Sequence, residues 1–338
     1  MLETTWFVLW GLLWAVYFVL DGFDFGMGTL LPFLAKNDEE KRIIYNAAGP
    51  YWDGNEVWLI TAGGVTFAAF PKAYAVMFSA LYAPLLILLF ALIFRAVSFE
   101  FRNKKDCPQW RKFWDACQFL GNFLPALLLG VAFANLFMGI PIDGNGVYHG
   151  NIIKLLNPYG LAGGIFFVLI FCMHGALWLA LKSEGDIHER AVGAAQVVWP
   201  LVLAVALLFL ALTAFYTNLY ANYAEHPTLL VFPILAVASL LTVRVMIWAD
   251  NLLGAWFFSA LFIITVTFFG VLGMYPGIID PAYSVTVFNG ASSQLTLKIM
   301  LGVTLCCIPV VIAYQAWVYY TFAHKVTPES LQKDNHAY

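Results

Sequence analysis

Long apolar stretches separated by short charged segments dominate the sequence. Uncharged runs such as 73–94, 116–142 and 155–181 reach the ~20 residues that an α-helix needs to cross the ~30 Å hydrocarbon core of a bilayer. Two further apolar segments, 5–33 and 50–71, contain acidic residues. The pattern predicts an all-α integral membrane protein, one polytopic domain over 1–338 with nine transmembrane helices. The predicted helices are 5–33, 50–71, 73–101, 113–138, 157–181, 191–217, 227–249, 253–279 and 297–323.

Composition excludes a soluble protein. Hydrophobic residues make up 62% of the 338 residues and charged residues only 11%, whereas a soluble domain carries about 25% charged residues. The net charge of −3 gives no reason to expect a nucleic-acid partner. The lipid bilayer is the predicted surroundings of the chain.

The distribution of Lys and Arg predicts the orientation in the membrane. Of the 17 Lys and Arg residues, two (Arg95 and Arg244) fall at helix ends and three (Lys72, Lys154 and Lys298) fall in one set of loops, which leaves 12 for the other set. Because cytoplasmic loops are enriched in Lys and Arg, we expect the N-terminus outside and the C-terminus in the cytoplasm.

Acidic residues inside the first two predicted helices are the main functional candidates. The first helix carries Asp21 and Asp24, and the second carries Asp53 and Glu56. Residues three apart share a helix face, and ionisable groups inside a membrane are costly unless paired or hydrated. With the predicted orientation, all four carboxylates lie in the cytoplasmic half of the membrane.

Four polar neighbours complete the expected network: Arg95 and Glu100 at the inner end of the third helix, and Trp52 and Asn55 beside the acids of the second. One hypothesis is a proton path from the cytoplasm, with carboxylates passing protons through water. A neutral polar network that only holds helices together is an open alternative. An ion-coupled secondary transporter and a purely structural scaffold also remain open.

Ligands for cofactors are scarce. Only His174 lies well inside a predicted helix, whereas haem needs an axial His, Met or Cys. The sequence contains no GxGxxG, Walker A or HExxH motif. We therefore expect no haem, no nucleotide and no metal on this chain, and no catalytic residue of its own.

Several motifs resemble subunit II of the cytochrome bd quinol oxidases. They are DGFDFGMG from Asp21, YWDGNEVWLITAGG from Tyr51, FR from Phe94, FEFR from Phe99, GVAFAN from Gly130, LNPYG from Leu156 and NGASS from Asn289. They extend from the first predicted helix to the ninth. The WDGNEVW segment is the most specific of them.

The resemblance implies two four-helix bundles plus one peripheral helix in a bacterial or archaeal cytoplasmic membrane. It implies a partner, subunit I, which carries two haem b and one haem d, and a complex that oxidises quinol and reduces dioxygen to water. A small single-span accessory subunit is a further expected partner. Some relatives hold a structural quinone at subunit II, for which this sequence indicates no site.

The resemblance also implies that subunit II stabilises the complex and lines a proton route. The acidic positions of the family fall on Asp24 and Asp53. The sequence departs from familiar members at Glu56, where Gln is expected in some, and at Glu100, where Asp is familiar. Glu56 adds a charge that would alter the proton route.

Overall fold

The computed structural model describes residues 1–143, 147–279, 285–333 and 338. Its helices are α1 Leu2–Leu34, α2 Asp38–Ala48, α3 Trp52–Ala69, α4 Pro71–Ala80, α5 Tyr82–Phe101, α6 Pro108–Met138, α7 Ile152–Leu155, α8 Pro158–Lys182, α9 Gly185–Tyr216, α10 Leu219–Glu225, α11 Val231–Trp248, α12 Leu252–Met274, α13 Gln294–Thr321 and α14 Pro328–Lys333.

Eight helices of the described residues are long and apolar enough to cross a membrane. They are α1, α5, α6, α8, α9, α11, α12 and α13. The predicted all-helical membrane fold is therefore confirmed. The predicted count of nine is not, because α3 is 18 residues long and has Asp53, Asn55 and Glu56 in its first turns. A ninth span and the two-bundle arrangement stay predictions.

Local sequence explains where several helices begin. The side chains of Asn37, Asn157 and Asn251 accept hydrogen bonds from main-chain N–H groups of α2, α8 and α12, as N-cap residues do. Proline occupies the start of α4, α6 and α8, where its missing N–H is not needed. The segment expected as one helix over 73–101 is interrupted at Leu81, three residues before Pro84.

Helix α1 is the central element, packed against α3, α6, α8 and α12. Its closest approach is to α8. A Cβ atom on Gly26 would lie 1.8 Å from the carbonyl oxygen of Phe171, and one on Gly175 would lie 2.5 Å from the main-chain nitrogen of Met27. Glycine is required at both positions because the two backbones touch, as small residues allow in membranes.

Helix α13 packs beside α3 and buries little of its surface. Leu297 is the one residue of α13 that is buried. Two hydrogen bonds nevertheless attach the C-terminal half of α13 to α3. Trp58 Nε1 donates to Gln315 Oε1 (3.0 Å), and Gln315 Nε2 donates to the Gly54 carbonyl (3.1 Å). This attachment brings α13 side chains to the acidic segment of α3.

Candidate functional site: a buried acid–base network

Arg95 of α5 is the centre of an ion cluster between α1, α3 and α5. Its guanidinium is fully buried and donates to both carboxylate oxygens of Asp21, at 2.7 and 3.2 Å. The same group donates to Glu56 Oε2 at 2.8 Å. The guanidinium carbon also lies 4.8 Å from the ring centre of Phe25. Charge-assisted bonds in this fork geometry are among the strongest that a protein forms.

Asp24 lies one turn further along α1 and forms a second centre. It is 3% exposed, and its Oδ2 accepts a hydrogen bond from Asn55 Nδ2 at 2.8 Å. Asn55 also donates to the Leu20 carbonyl (3.0 Å) and accepts from the Tyr319 hydroxyl of α13 (3.0 Å). Asp24 Oδ1 accepts no hydrogen bond from the described residues.

Two expected members lie apart from this network. Asp53 is exposed, whereas Glu56, three residues later, is half-buried against Arg95. Glu100 is exposed on α5, and the hydroxyl of Tyr338 donates to its Oε1 at 3.4 Å. Of the four acids, Asp21, Asp24 and Glu56 therefore enter the network, and Asp53 stays at its edge.

Trp52 also stands outside the network. Its ring stacks on Phe99 of α5, with centroids 5.2 Å apart and an angle of 8° between planes. This contact joins the first turn of α3 to the last turns of α5. Of the four supporting residues, Asn55 and Arg95 bind carboxylates of the network directly, whereas Trp52 and Glu100 do not.

The sequence alone did not identify Tyr319, Tyr51 or Lys182 as neighbours of these acids. The hydroxyl of Tyr319 bonds Asn55, and the rings of Tyr319 and Tyr51 lie 4.7 Å apart. Lys182 Nζ donates to the Tyr51 hydroxyl at 2.8 Å. These residues come from α13, α8 and the residue before α3, so no local motif joins them. In the sequence, Lys182 is one of the 12 Lys and Arg residues assigned to the cytoplasmic set of loops.

His174 lies in the core of α8 and is fully buried. Its Nδ1 is 2.6 Å from Ser259 Oγ, and its Nε2 is 3.1 Å from the Val19 carbonyl oxygen. The imidazole also stacks on Trp256 at 5.3 Å. Both ring nitrogens are therefore hydrogen-bonded within the protein.

A second ionic cluster lies where α2, which is outside the candidate membrane spans, meets the ends of α5 and α6. Arg102 donates to Asp38 Oδ1 (2.7 Å) and to Asp115 Oδ1 (2.6 Å), and Lys41 reaches Asp115 Oδ2 at 2.8 Å. Partial burial raises the pKa of Asp38, but the hydrogen bond and charge of Arg102 outweigh burial and hold this pKa below its usual range. These ion pairs hold α2 against the end of α5 and the start of α6, beside the loops that are rich in Lys and Arg.

Fold and site together define a class: an all-helical integral membrane protein with a buried acid–base network toward the basic end of its central helices. The chain belongs to the family of cytochrome bd terminal oxidase subunit II, whose model matches residues 2–322. The family predicted from the WDGNEVW segment and its companion motifs is confirmed.

The chain is similar to named bacterial proteins over nearly its full length. It is 36% identical over 332 residues to cytochrome bd ubiquinol oxidase subunit 2 of Bacillus subtilis, covering 96% of this chain and 97% of the relative. It is 34% identical over 376 residues to cytochrome bd-I ubiquinol oxidase subunit 2 of Escherichia coli K12, covering 99% and 98%. Together with the apolar helices, these relatives indicate a protein of the bacterial cytoplasmic membrane.

The fold also matches a solved structure. A chain of the bd oxidase from Geobacillus thermodenitrificans superposes with a TM-score of 0.81, covering 95% of this chain and 98% of that chain. The two are 16% identical in sequence. This likeness supports the fold.

Proposed function

We propose that this chain is the haem-free subunit II of a cytochrome bd-type quinol:oxygen oxidoreductase in a respiratory chain. It stabilises a haem-bearing subunit I and lines a route for proton uptake from the cytoplasm to the site of dioxygen reduction. Quinol and dioxygen are the substrates of the complex. Two haem b and one haem d on subunit I supply electron transfer and dioxygen reduction.

The excess of acid in the buried network carries this proposal. Asp21 and Glu56 pair with the Arg95 guanidinium, and Asp24, one turn from Asp21 on α1, is bonded to Asn55. Three carboxylates thus share one cation, so the fully ionised group would have a net charge of −2. Burial of uncompensated charge costs several kcal/mol per ion, so the cluster is stabilised by holding protons. A buried group that holds protons near the cytoplasmic end of the helices is suited to proton uptake.

The order of the acids along α3 and α1 suggests a direction. Asp53 is exposed at the start of α3, and Glu56 lies about 4.5 Å further along the axis at 1.5 Å per residue. The Glu56 side chain is 24% exposed and bonds Arg95. Asp24 is 3% exposed, and its Oδ1 accepts no hydrogen bond from the described residues. We infer that protons pass from Asp53 through Glu56 and water to Asp24, while Asp21 holds Arg95 in place.

The exposed side of α3 supports the proposed partner. Ile60 and Phe67 are 71% and 60% exposed on the same helix that carries exposed Asp53. A carboxylate is not stable against lipid tails, so this face needs a protein surface or water over it. We assign it to subunit I. A small accessory subunit and a structural quinone remain predictions without assigned residues.

Family membership favours the oxidase subunit over the ion-coupled transporter. His174 supports the haem-free assignment, because both of its ring nitrogens are hydrogen-bonded. It also supplies a direct test. In a tagged complex purified in mild detergent, His174→Gln should leave the haem b and haem d absorbance per subunit I unchanged.

Loss of one haem per assembled complex in His174→Gln would contradict the haem-free assignment. The wild-type purification is the control. Haem bands should appear in the reduced-minus-oxidised spectrum only when a second large membrane polypeptide co-elutes. A colourless and stable solitary chain would refute the proposed partnership.

A further inference from the structure

Tyr338, which follows α14 in the chain, is attached to α2 by three hydrogen bonds of its main chain. The Asn46 side chain forms two of them: its Nδ2 donates to the main-chain oxygen of Tyr338 (2.9 Å), and its Oδ1 accepts from the Tyr338 N–H (3.0 Å). Arg42 Nε donates to the same main-chain oxygen at 3.0 Å. Both main-chain groups of Tyr338 are therefore held, which fixes the position from which its side chain extends.

The ring of Tyr338 packs between the residues that join α2 to α3 and the end of α5. Its centroid lies 5.3 Å from that of Phe99, with 70° between the planes, and Phe99 in turn stacks on Trp52. A Cβ atom on Gly49 would lie 2.6 Å from Tyr338 Cε2. The hydroxyl donates to Glu100 Oε1 at 3.4 Å. One side chain thus contacts both the approach to α3 and the end of α5.

Asp53 directly follows Trp52 and lies close enough to Tyr338 for its charge to act on the phenol. Burial raises the pKa of the Tyr338 hydroxyl, and the negative charges of Glu100 and Asp53 also raise it. Asp53 itself is exposed, so the Tyr338 ring does not cover it. The ring lies beside the carboxylate and supports the helix turn that carries it.

The first turn of α3 depends on such support from outside the helix. Its N-cap residue, Tyr51, forms no capping hydrogen bond with its side chain, although such a bond is the usual way to fix a helix start. The Trp52–Phe99 stack joins this turn to α5, and the bond from Arg95 to Glu56 joins the next turn to α5. Because helix ends fray, loss of the packing around Phe99 should release the first turn and leave the second in place.

We propose that Tyr338 is a positioning residue for Asp53. By packing on Phe99, its ring supports the stack with Trp52 and so keeps Asp53 in line with the inner carboxylates of the proton-uptake route. The inference rests on the proposed function, because Asp53 is the first carboxylate of that route. A misplacement of about 1 Å can cost about 100-fold in a rate. We expect about 10-fold here, since water completes the transfer from Asp53.

A role limited to attachment on α2 makes a different prediction. The three main-chain hydrogen bonds do not use the ring, so Tyr338→Ala and Tyr338→Phe both retain them. If attachment were the whole role, both variants would turn over like the wild type. General destabilisation would lower the amount of assembled complex but leave turnover per haem unchanged.

The experiment measures quinol-driven dioxygen consumption per haem in the purified complex. Tyr338→Ala should lower it about 10-fold at unchanged haem content. Tyr338→Phe keeps the ring and loses only a 3.4 Å hydrogen bond to exposed Glu100, so it should restore turnover close to the wild type. In an Asp53→Asn background, Tyr338→Ala should cause no further loss, because changes that act through one group are not additive.

Gly49→Ala tests the same contact without a change at Tyr338. Its added Cβ lies 2.6 Å from the tyrosine ring, so the ring must shift, and turnover should fall in the same direction as in Tyr338→Ala. Gly193→Ala on α9 is the matched control, because no atom lies within 4 Å of its added Cβ; it should behave like the wild type. Should Tyr338→Ala fail to assemble, Gly49→Ala and its combination with Asp53→Asn decide.

Wild-type turnover in Tyr338→Ala together with a slow Asp53→Asn would overturn the positioning role and leave the proposed route intact. An equal loss from Tyr338→Ala with and without Asp53→Asn would also overturn it, because the tyrosine would then act through another group. Wild-type turnover in Asp53→Asn would instead refute the entry to the route, and the positioning role with it.

Discussion

Arg95 is the residue whose loss should most damage the network. Its guanidinium is fully buried and makes two hydrogen bonds to Asp21 and one to Glu56. Arg95→Met preserves much of the side-chain volume but leaves both acids without their cation. Removal of one partner from a buried pair costs about 3–5 kcal/mol, because the remaining charge is uncompensated. We expect a loss of this size in the free energy of unfolding.

Two companion variants determine whether charge is the cause. Arg95→Lys retains the positive charge but not the planar fork, so it should lose less than Arg95→Met. Arg95→Met with Asp21→Asn removes a carboxylate together with its cation. The double variant should therefore be more stable than Arg95→Met alone, which gives a coupling energy between the two sites.

The assay is denaturant titration of the purified complex in detergent, with assembled complex in membranes as a second readout. Arg244→Met is the matched control. Arg244 is half-buried, donates to the Gln196 carbonyl at 3.2 Å and lies over the rings of Trp199 and Trp248, but it pairs with no carboxylate of the described residues. Its loss leaves no buried charge uncompensated, so it should cost less than the loss of Arg95. Wild-type stability in Arg95→Met, or a double variant less stable than the single one, would contradict the role of Arg95 in compensating the buried acids.

Three other predictions concern the edge of the network, the helix contacts and the ionic cluster at α2. Asp53→Asn should slow dioxygen reduction with haem content unchanged; collapse of the complex would instead indicate a structural role. Gly26→Ala should reduce assembled complex in membranes, while Gly193→Ala on α9, with no atom within 4 Å of its added Cβ, should not; equal yields would contradict the close helix contact. Because Arg102 lowers the pKa of Asp38 in the folded state, Asp38 should contribute stability above its unfolded pKa of about 4 and lose that contribution as pH falls further. Asp38→Asn should weaken the pH dependence of the melting temperature below about pH 4. An unchanged pH dependence would rule out a stabilising Arg102–Asp38 ion pair.

Hydrophobic run length predicted most membrane helices because burial in lipid requires continuous apolar sequence. It did not predict the interruption at Leu81, since a local turn leaves the apolar pattern unchanged. The count of nine depends on α3, which combines 18 residues with three polar side chains in its first turns. Length and hydropathy alone do not determine whether such a helix crosses the membrane.

The site was predicted only in part, because tertiary contacts select among residues that share a pattern. The spacing of Asp53 and Glu56 makes them neighbours but does not say which one an adjacent helix covers. At 100° per residue, Asp53 lies about 200° from Asn55. Asn55 faces α1, so Asp53 points away from it. The sequence did not indicate that Lys182 is buried, because its position at a helix end is typical of a loop charge. In the structure its ammonium donates to the Phe322 carbonyl at the end of α13.

Asp24→Asn in the assembled oxidase tests the central claim most directly. Turnover per haem and proton uptake from the cytoplasmic side should be measured together in vesicles of known orientation. We expect normal haem content, with dioxygen reduction and proton uptake slowed by about 100-fold or more, as when a positioned proton carrier is lost. Wild-type turnover and wild-type proton uptake in this variant would contradict it.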